Sequence, residues 1–327
     1  MNPSPKLTPA AQCASGVDPA HVVHRWYASL GESTRRKYRL ALTQFGTWAT
    51  GESAPSADLS MRILVTAGRA SARGMVCAWR DDLLEQGRAT ATVAASVSAL
   101  ASCVTAARLA GLCEWAIEKV APKIEPRHDR SGPQHHEVEL LLARLDDEVA
   151  GSHRTAFAVR DTAIVRLLHG AALRRFEVTG LRLCDVQLDH ADGPRVLPLR
   201  KGKREREAML IGPMAAESLR KWIAIRGTDR ADAPLFTRLH AQQDADTATA
   251  LSGEAVRQML RQRAAQAGVR AIVRPNGLRH SAATHCARNA SLAALKRLGG
   301  WVTLSSPARY LDQDDKDRRT ALQVVEC

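Results

Sequence analysis

Pro275-Asn276-Gly277-Leu278-Arg279-His280-Ser281-Ala282-Ala283-Thr284-His285 is followed, after a helical stretch, by Leu298-Gly299-Gly300-Trp301 and then by Tyr310. This stretch holds an arginine, a histidine beside it, an indole donor and a tyrosine. A second arginine, Arg174, lies far upstream on another turn. Two arginines that converge with a tyrosine could break a phosphodiester without a metal. The reading therefore turns on whether the rest of the chain can bring them together.

The 327 residues are enough for roughly two domains of about 100–200 residues each. An apolar content of 45% allows an ordinary globular core. The net charge is +13, from 47 basic and 34 acidic residues. Residues 1–130 hold 16 basic against 11 acidic (+5) and residues 131–327 hold 31 against 23 (+8), so the charge is spread rather than held in a tail. That distribution suits contact with a long polyanion along both halves; a soluble protein of high pI with no nucleic-acid role is the plainer alternative. Arginine outnumbers lysine, and its fork matches phosphate bidentately. Seven cysteines, without a Cys-x-x-Cys, suggest neither a disulfide frame nor a zinc site and point to a reducing cytosol. No N-terminal signal pattern is present. The longest uncharged run, Ala89 to Ala107, is too rich in Ala, Ser and Thr for a membrane span and reads as a buried helix.

Taken in order, residues 1–17 read as disordered. Asp18-Pro19 reads as an N-cap and first helical residue, followed by the apolar face Val22, Val23, Trp26 and Leu30. A second helix from Ser33 carries Tyr38, Leu42, Phe45 and Trp48 at helical spacing. Its other face carries Arg35, Arg36, Lys37 and Arg39, either a solvated face or a contact to a DNA backbone. Residues 51–70 read as loop, Ser71–Gln86 and Thr90–Ala110 as helices, and Leu112–Val120 as a short last helix. Residues 18–121 thus form a helical bundle, and the Pro- and Gly-bracketed segment 122–134 forms a linker. The remainder, 135–327, is mostly helical, with short strand candidates at Val186–Leu188, Val196–Leu199 and Glu207–Ile211 making one small antiparallel sheet.

These residues carry a family resemblance over roughly 18–315. The chain resembles a tyrosine recombinase of the phage-integrase family, of the simple two-domain type. Thr34-x-x-x-Tyr38 and Phe45-x-x-Trp48 resemble its core-binding helical domain. Leu167 through Glu177, containing Arg174, is similar to the first arginine box, and Gly180-Leu181-Arg182-Leu183-Cys184-Asp185-Val186 continues it. Arg200-Lys201-Gly202-Lys203-Arg204-Glu205-Arg206 resembles the hairpin that carries the catalytic lysine. Leu278-Arg279-His280-x4-His285 resembles the second arginine box, and Leu298-Gly299-Gly300-Trp301 with Tyr310 the terminal boxes. The implied fold is mainly α: an N-terminal helical, SAM-like core-binding domain and an α-rich catalytic domain with a small antiparallel sheet.

The chemistry assigns roles to the matched positions. Attack on a phosphodiester builds negative charge on the non-bridging oxygens, and preorganised cations such as Arg174 and Arg279 stabilise it. The leaving 5′ oxygen needs a proton; Lys201 is the matched donor, with Lys203 an alternative. Tyr310 is the expected nucleophile, whereas Tyr27 and Tyr38 lie at core spacing. Trp301 stands where the family more often has histidine and can donate one indole N–H to a phosphate oxygen. Glu177 is expected to orient Arg174 or to hold the hairpin. Asn276 departs from the family's histidine or lysine; it can donate to a phosphate but cannot serve as a base toward Tyr310. His280 and His285 read as structural. Arg35, Arg36, Lys37, Arg39, Lys203 and Arg204 are the expected DNA contacts. No nucleotide-binding or metal motif competes, and no cofactor is expected.

The resemblance implies cutting and rejoining of double-stranded DNA at an inverted-repeat site through a 3′-phosphotyrosine intermediate. It further implies a homo-tetramer on two synapsed sites, strand exchange through a Holliday junction, and an accessory DNA-binding protein in some systems. It places the protein in the bacterial cytoplasm on the nucleoid, with no membrane partner. Only about 17 residues precede the first helix, which favours the simpler resolvases over phage integrases with an extra arm-binding domain. The departures in the boxes lean towards a mobile element, for integration and excision or cointegrate resolution. A type IB topoisomerase-like enzyme and a non-catalytic DNA-binding relative stay open as alternatives.

Overall fold

The structure is a computed structural model that describes residues 18–123, 132–151, 155–200, 202–239 and 248–301. The chain divides into two compact units, Met1–Pro126 and Arg127–Cys327. The boundary falls within the stretch read as a linker, of which residues 124–131 lie outside the described residues, as do residues 1–17.

The first unit is built on α1 (Pro19–Ser29), α2 (Glu32–Thr50), α3 (Ala57–Glu85) and α4 (Thr90–Leu109). Asp18 starts α1 by accepting from the Ala20 amide at 3.0 Å, and Pro19 follows at the position where a missing N–H costs nothing. The apolar spacing of α2 buries Leu42 and Phe45, and Phe45 meets Trp79 of α3 edge-on at 5.4 Å. Gly46 is needed where α2 meets the loop before α3, because a Cβ there would strike Pro55. The apolar run of α4 is explained by its place: Val93, Val97, Leu100, Cys103, Val104 and Ala107 are all fully buried. By length and composition α4 could cross a membrane, but here it is a core helix packed by α1, α2 and α3.

Two sequence expectations fail in this unit. Residues 51–70 are not one loop: α3 begins at Ala57 and buries Met61 and Leu64, and Gly68, at φ 75° and ψ 167°, kinks the helix instead of preceding it. Leu112–Val120 is not a helix either. Gly111 ends α4 in the left-handed region at φ 77°, and the segment then runs irregularly. Burial of Ile117 and Val120 and a 3.1 Å hydrogen bond from Arg80 to the Val120 carbonyl hold it in place.

The second unit is arranged around α6 (Ala156–Gly170), in which every residue from Ala158 to Leu168 is buried. It is wrapped by α5 (His135–Ala150), α8 (Pro213–Arg226) and α10 (Pro275–Asn289). Helices α7 (Arg175–Thr179), α9 (Gly253–Gln266) and α11 (Leu292–Gly299) complete it. A helix buried all round must pair its charges. On α6, Arg160 donates to Asp161 at 2.7 Å, and Asp161 also accepts from Arg263 of α9 at 2.8 Å. Arg263 reaches on to Glu148 of α5 at 2.8 Å, so one buried network fixes three helices. The sheet is antiparallel, in the order β1 (Val186–Gln187), β2 (Arg195–Val196), β3 (Met209–Leu210), with Val186 opposite Val196 and Val196 opposite Met209. Its strands are shorter than the apolar runs suggested, and a single bridge between Leu199 and Arg206 continues the β2–β3 hairpin. The architecture is the mainly helical fold with one small sheet that the sequence implied.

Candidate active site

Arg174 sits at the start of α7 and Arg279 in the second turn of α10. Arg174 is the N-cap residue of α7, and Glu177, one turn on, returns to it: Oε2 accepts from the Arg174 amide at 2.7 Å and Oε1 from its guanidinium at 2.8 Å. The Glu177 side chain is fully buried, whereas that of Arg174 keeps 29% exposure. Glu177 therefore orients an arginine whose outer edge is open to a ligand.

Arg279 is buried on α10. Its guanidinium donates to the Ala172 carbonyl and, at 2.6 Å, to the Gly299 carbonyl. Ala172 takes the left-handed conformation, φ 47°, at a cost of about 1 kcal/mol for a residue with a Cβ. That conformation belongs to the turn after α6 whose carbonyl meets Arg279. The Trp301 ring lies against the same guanidinium at 4.7 Å, so it is the indole face that the structure brings to Arg279.

The two boxes are joined by a residue that the sequence reading passed over. Arg200 is buried, donates to the Gly299 carbonyl at 3.0 Å, and lies 4.0 Å from Glu177. The contacts thus run from Arg174 to Glu177, to Arg200, to the Gly299 carbonyl, to Arg279 and to Trp301. Glu177 thus pairs with Arg174 and lies 4.0 Å from Arg200, and the Gly299 carbonyl links Arg200 to Arg279, so three guanidiniums are gathered by one chain of contacts. Val196, Pro198 and Arg200 are buried while Leu199 is exposed, the alternation of an extended chain, and it is this that turns Arg200 inward.

The hairpin is held on its other arm too. Arg206 pairs with buried Asp185 at 2.7 Å and donates to the Leu197 carbonyl at 3.1 Å. Lys203 is exposed and pairs with Glu207 at 2.9 Å, and Arg204 is exposed. Asn276 is exposed in the first turn of α10, one turn before Arg279 and on its side of the helix. Lys201 and Tyr310 lie outside the described residues.

Among the first unit's basic residues, Arg35 has hydrogen bonds within its own unit. It donates to the Tyr27 carbonyl at 2.8 Å and the Leu30 carbonyl at 3.1 Å, closing the end of α1, where carbonyls lack helical partners. Arg36, Lys37 and Arg39 are exposed on α2.

Helices α5, α6 and α10 meet through histidines. The His135 and His285 rings stack at 3.8 Å, and His169 lies 6.0 Å from His135. His280 is half-buried next to Arg279 and takes no part in this stack. Burial, reinforced by His135 and His285 and opposed by Glu139, pushes the His169 imidazole down to about 4. The folded protein therefore keeps it neutral, while the unfolded chain takes up its proton near the ordinary value of about 6.5. This contribution to stability is complete above about pH 6.5 and is lost as pH falls towards 4. Urea midpoints measured between pH 7.5 and 4.5 are expected to fall more steeply for the wild type than for His169→Phe; parallel curves would contradict it.

Residues 134–317 match the model of the phage integrase family. The chain is 30% identical to the tyrosine recombinase slr0733 of Synechocystis sp. over 90% of both chains. It is 31% identical to the tyrosine recombinase XerC of Neisseria meningitidis serogroup B over 62% of this chain and 65% of that one. A crystal structure of the XerH site-specific recombinase bound to a palindromic difH substrate is similar in fold, with a TM-score of 0.64 at 15% identity, covering 94% and 95% of the two chains. The chain belongs to the phage integrase family, the tyrosine recombinases, and is by that membership a site-specific recombinase.

Proposed function

We propose that the protein cuts and rejoins double-stranded DNA at an inverted-repeat site through a 3′-phosphotyrosine intermediate. What supports this reading is the run of contacts from Arg174 to Arg279, which gathers guanidiniums of the kind that stabilise a phosphate gaining charge during attack. The Tyr310 oxygen attacks the scissile phosphorus; the P–O(Tyr) bond forms as the P–O5′ bond breaks. Arg174 and Arg279 hold the non-bridging oxygens, Trp301 flanks Arg279, and Lys201 protonates the leaving 5′ oxygen. Asn276 donates to a phosphate oxygen, and the phenol proton passes to water. Attack by a 5′ hydroxyl on the tyrosyl ester reverses the step and restores the phosphodiester, so no nucleotide is consumed.

Residues 18–121 act as the core DNA-binding domain, joined by 122–134 to the catalytic domain, with Arg36, Lys37, Arg39, Lys203 and Arg204 on the phosphate backbone. The protein works in the bacterial cytoplasm on the nucleoid, as a homo-tetramer on two synapsed sites, with or without an accessory DNA-binding protein. The departures at Asn276 and Trp301 favour service to a mobile element.

The experiment is a duplex nicked next to the cleavage position, which traps the covalent intermediate because the short released strand diffuses away. An adduct with the full-length protein is expected, and binding without any adduct would leave a non-catalytic DNA-binding relative. For the assembly, deletion of residues 316–327, which include the apolar Ala321-Leu322-Gln323-Val324-Val325, is expected to weaken synapsis while sparing single-site binding. Unchanged recombination by the shortened protein would contradict the tail's part.

A further inference from the structure

We propose that Arg200 is a positioning residue for DNA cleavage: it fixes the Gly299 carbonyl that orients Arg279 and sets it against the Glu177–Arg174 pair. The inference rests on the recombinase site proposed above.

The surroundings of Arg200 fit this part better than they fit packing. A buried guanidinium is costly unless its donors are met. Here one Nη meets the Gly299 carbonyl at 3.0 Å, the other lies against the Met209 sulfur, and Nε is buried without a hydrogen-bond partner. Among the described residues the nearest carboxylate, Glu177, is 4.0 Å away, too far for a hydrogen bond, and is already held by Arg174. Burial pushes the Arg200 guanidinium below its ordinary range; Glu177 opposes that and Arg174 adds to it. A methionine of similar reach would fill the space without that cost, so stability alone gives no reason for a cation here.

The backbone is shaped around the guanidinium. Gly300 ends α11 in the left-handed region, φ 55° and ψ 45°, and a Cβ there would collide with Arg200. A Cβ on Gly299 would collide with the Trp301 ring. The glycine pair therefore lets Arg200 and Trp301 approach one peptide from two sides. Its carbonyl has two lone pairs, and Arg200 and Arg279 take one hydrogen bond each. Moving Arg200 frees that carbonyl on one side and loosens the seat of Arg279. A misplacement of about 1 Å in such a seat can cost about 10²-fold in rate.

The test uses full-length protein and a nicked duplex carrying the repeat recovered by selecting a randomised duplex pool on the wild type. Arg200→Met is expected to fold, to bind the duplex like the wild type, and to form the single-turnover adduct about 10²-fold more slowly. Arg200→Lys, which reaches the Gly299 carbonyl but cannot fork, is expected to fall between the two. The double variant Arg200→Met/Arg279→Lys is expected to be no slower than Arg279→Lys alone, because both act through one carbonyl. A purely structural role would lower the melting temperature and leave these rates unmoved. An adduct rate within about twofold of wild type, or fully additive losses, would overturn the assignment. Should Arg200→Met not fold, Arg200→Lys at the wild-type rate would overturn it, and a slowed, folded Arg200→Lys supports it. No adduct from the wild type itself would remove the catalytic reading and this role with it, an outcome the control identifies.

Discussion

Tyr310→Phe is expected to bind its duplex with wild-type affinity and to form no covalent adduct. The change removes one oxygen and keeps the ring, so whatever packing the side chain provides is retained. Loss of an enzyme's nucleophile costs on the order of 10⁶ in rate. The two other tyrosines are poor substitutes. Tyr27 stacks on Trp26 at 4.9 Å in the first unit, and burial pushes its phenol up to about 12. Tyr38 stacks on the same indole at 5.8 Å. An adduct that survives in Tyr310→Phe would therefore place the nucleophile on another residue type and defeat the proposed chemistry. An adduct lost in Tyr310→Phe, together with relaxation of supercoiled DNA that lacks any repeat, would favour a type IB topoisomerase-like enzyme. The partner of the phenol proton is also testable here. A phenol in water ionises near pH 10 (about) and Asn276 cannot accept its proton, so the wild-type adduct rate is expected to climb through neutral pH. A plateau below pH 8 would mean that another group takes the proton.

The helices were legible where period and capping agreed. Asp18-Pro19 marks the start of α1 where it is observed, because a cap is a local event that needs no tertiary information. The kink at Gly68 was misread for the opposite reason. A glycine between two apolar stretches signals a break, but only packing decides whether the chain ahead of it coils or runs as a loop, and burial of Met61 and Leu64 decided it. In the site, Arg174, Glu177 and Arg279 could be picked out because each stands in a local motif. Arg200 could not, since its meaning lies in a carbonyl 99 residues away. The carbonyls of Ala172 and Gly299 are likewise invisible in sequence: any residue has one, and only backbone geometry aims it. Nor does the basic run around Arg35 reveal that this residue also closes the end of the preceding helix.

Glu177→Gln is expected to be the most damaging single change among the described residues of the site. The substitution keeps size and shape and removes only the charge. In the wild type one carboxylate, fully buried, meets Arg174 at 2.8 Å and lies 4.0 Å from Arg200, which shares the Gly299 carbonyl with Arg279. The neutral amide can accept through one oxygen only, so either the Arg174 amide or its guanidinium meets an NH2 group instead. Breaking a buried pair by removing one partner costs about 3–5 kcal/mol, and the lower end applies because Arg174 is partly exposed. Urea unfolding of the full chain is therefore expected to show a loss of about 3 kcal/mol. An exposed surface pair would lose about 0–1 kcal/mol, and a result that small would mean that the carboxylate does not hold the cluster. The charge argument makes a second, independent demand. With the Glu177 charge gone, the cluster is more positive by one charge, so an external anion should bind more tightly. Inorganic phosphate is then expected to raise the melting temperature of Glu177→Gln by more than it raises that of the wild type. Equal shifts would show that the arginines do not share one electrostatic site. A larger shift in the variant would locate the phosphate-binding potential at the junction of the two arginine boxes, where attack on DNA needs it.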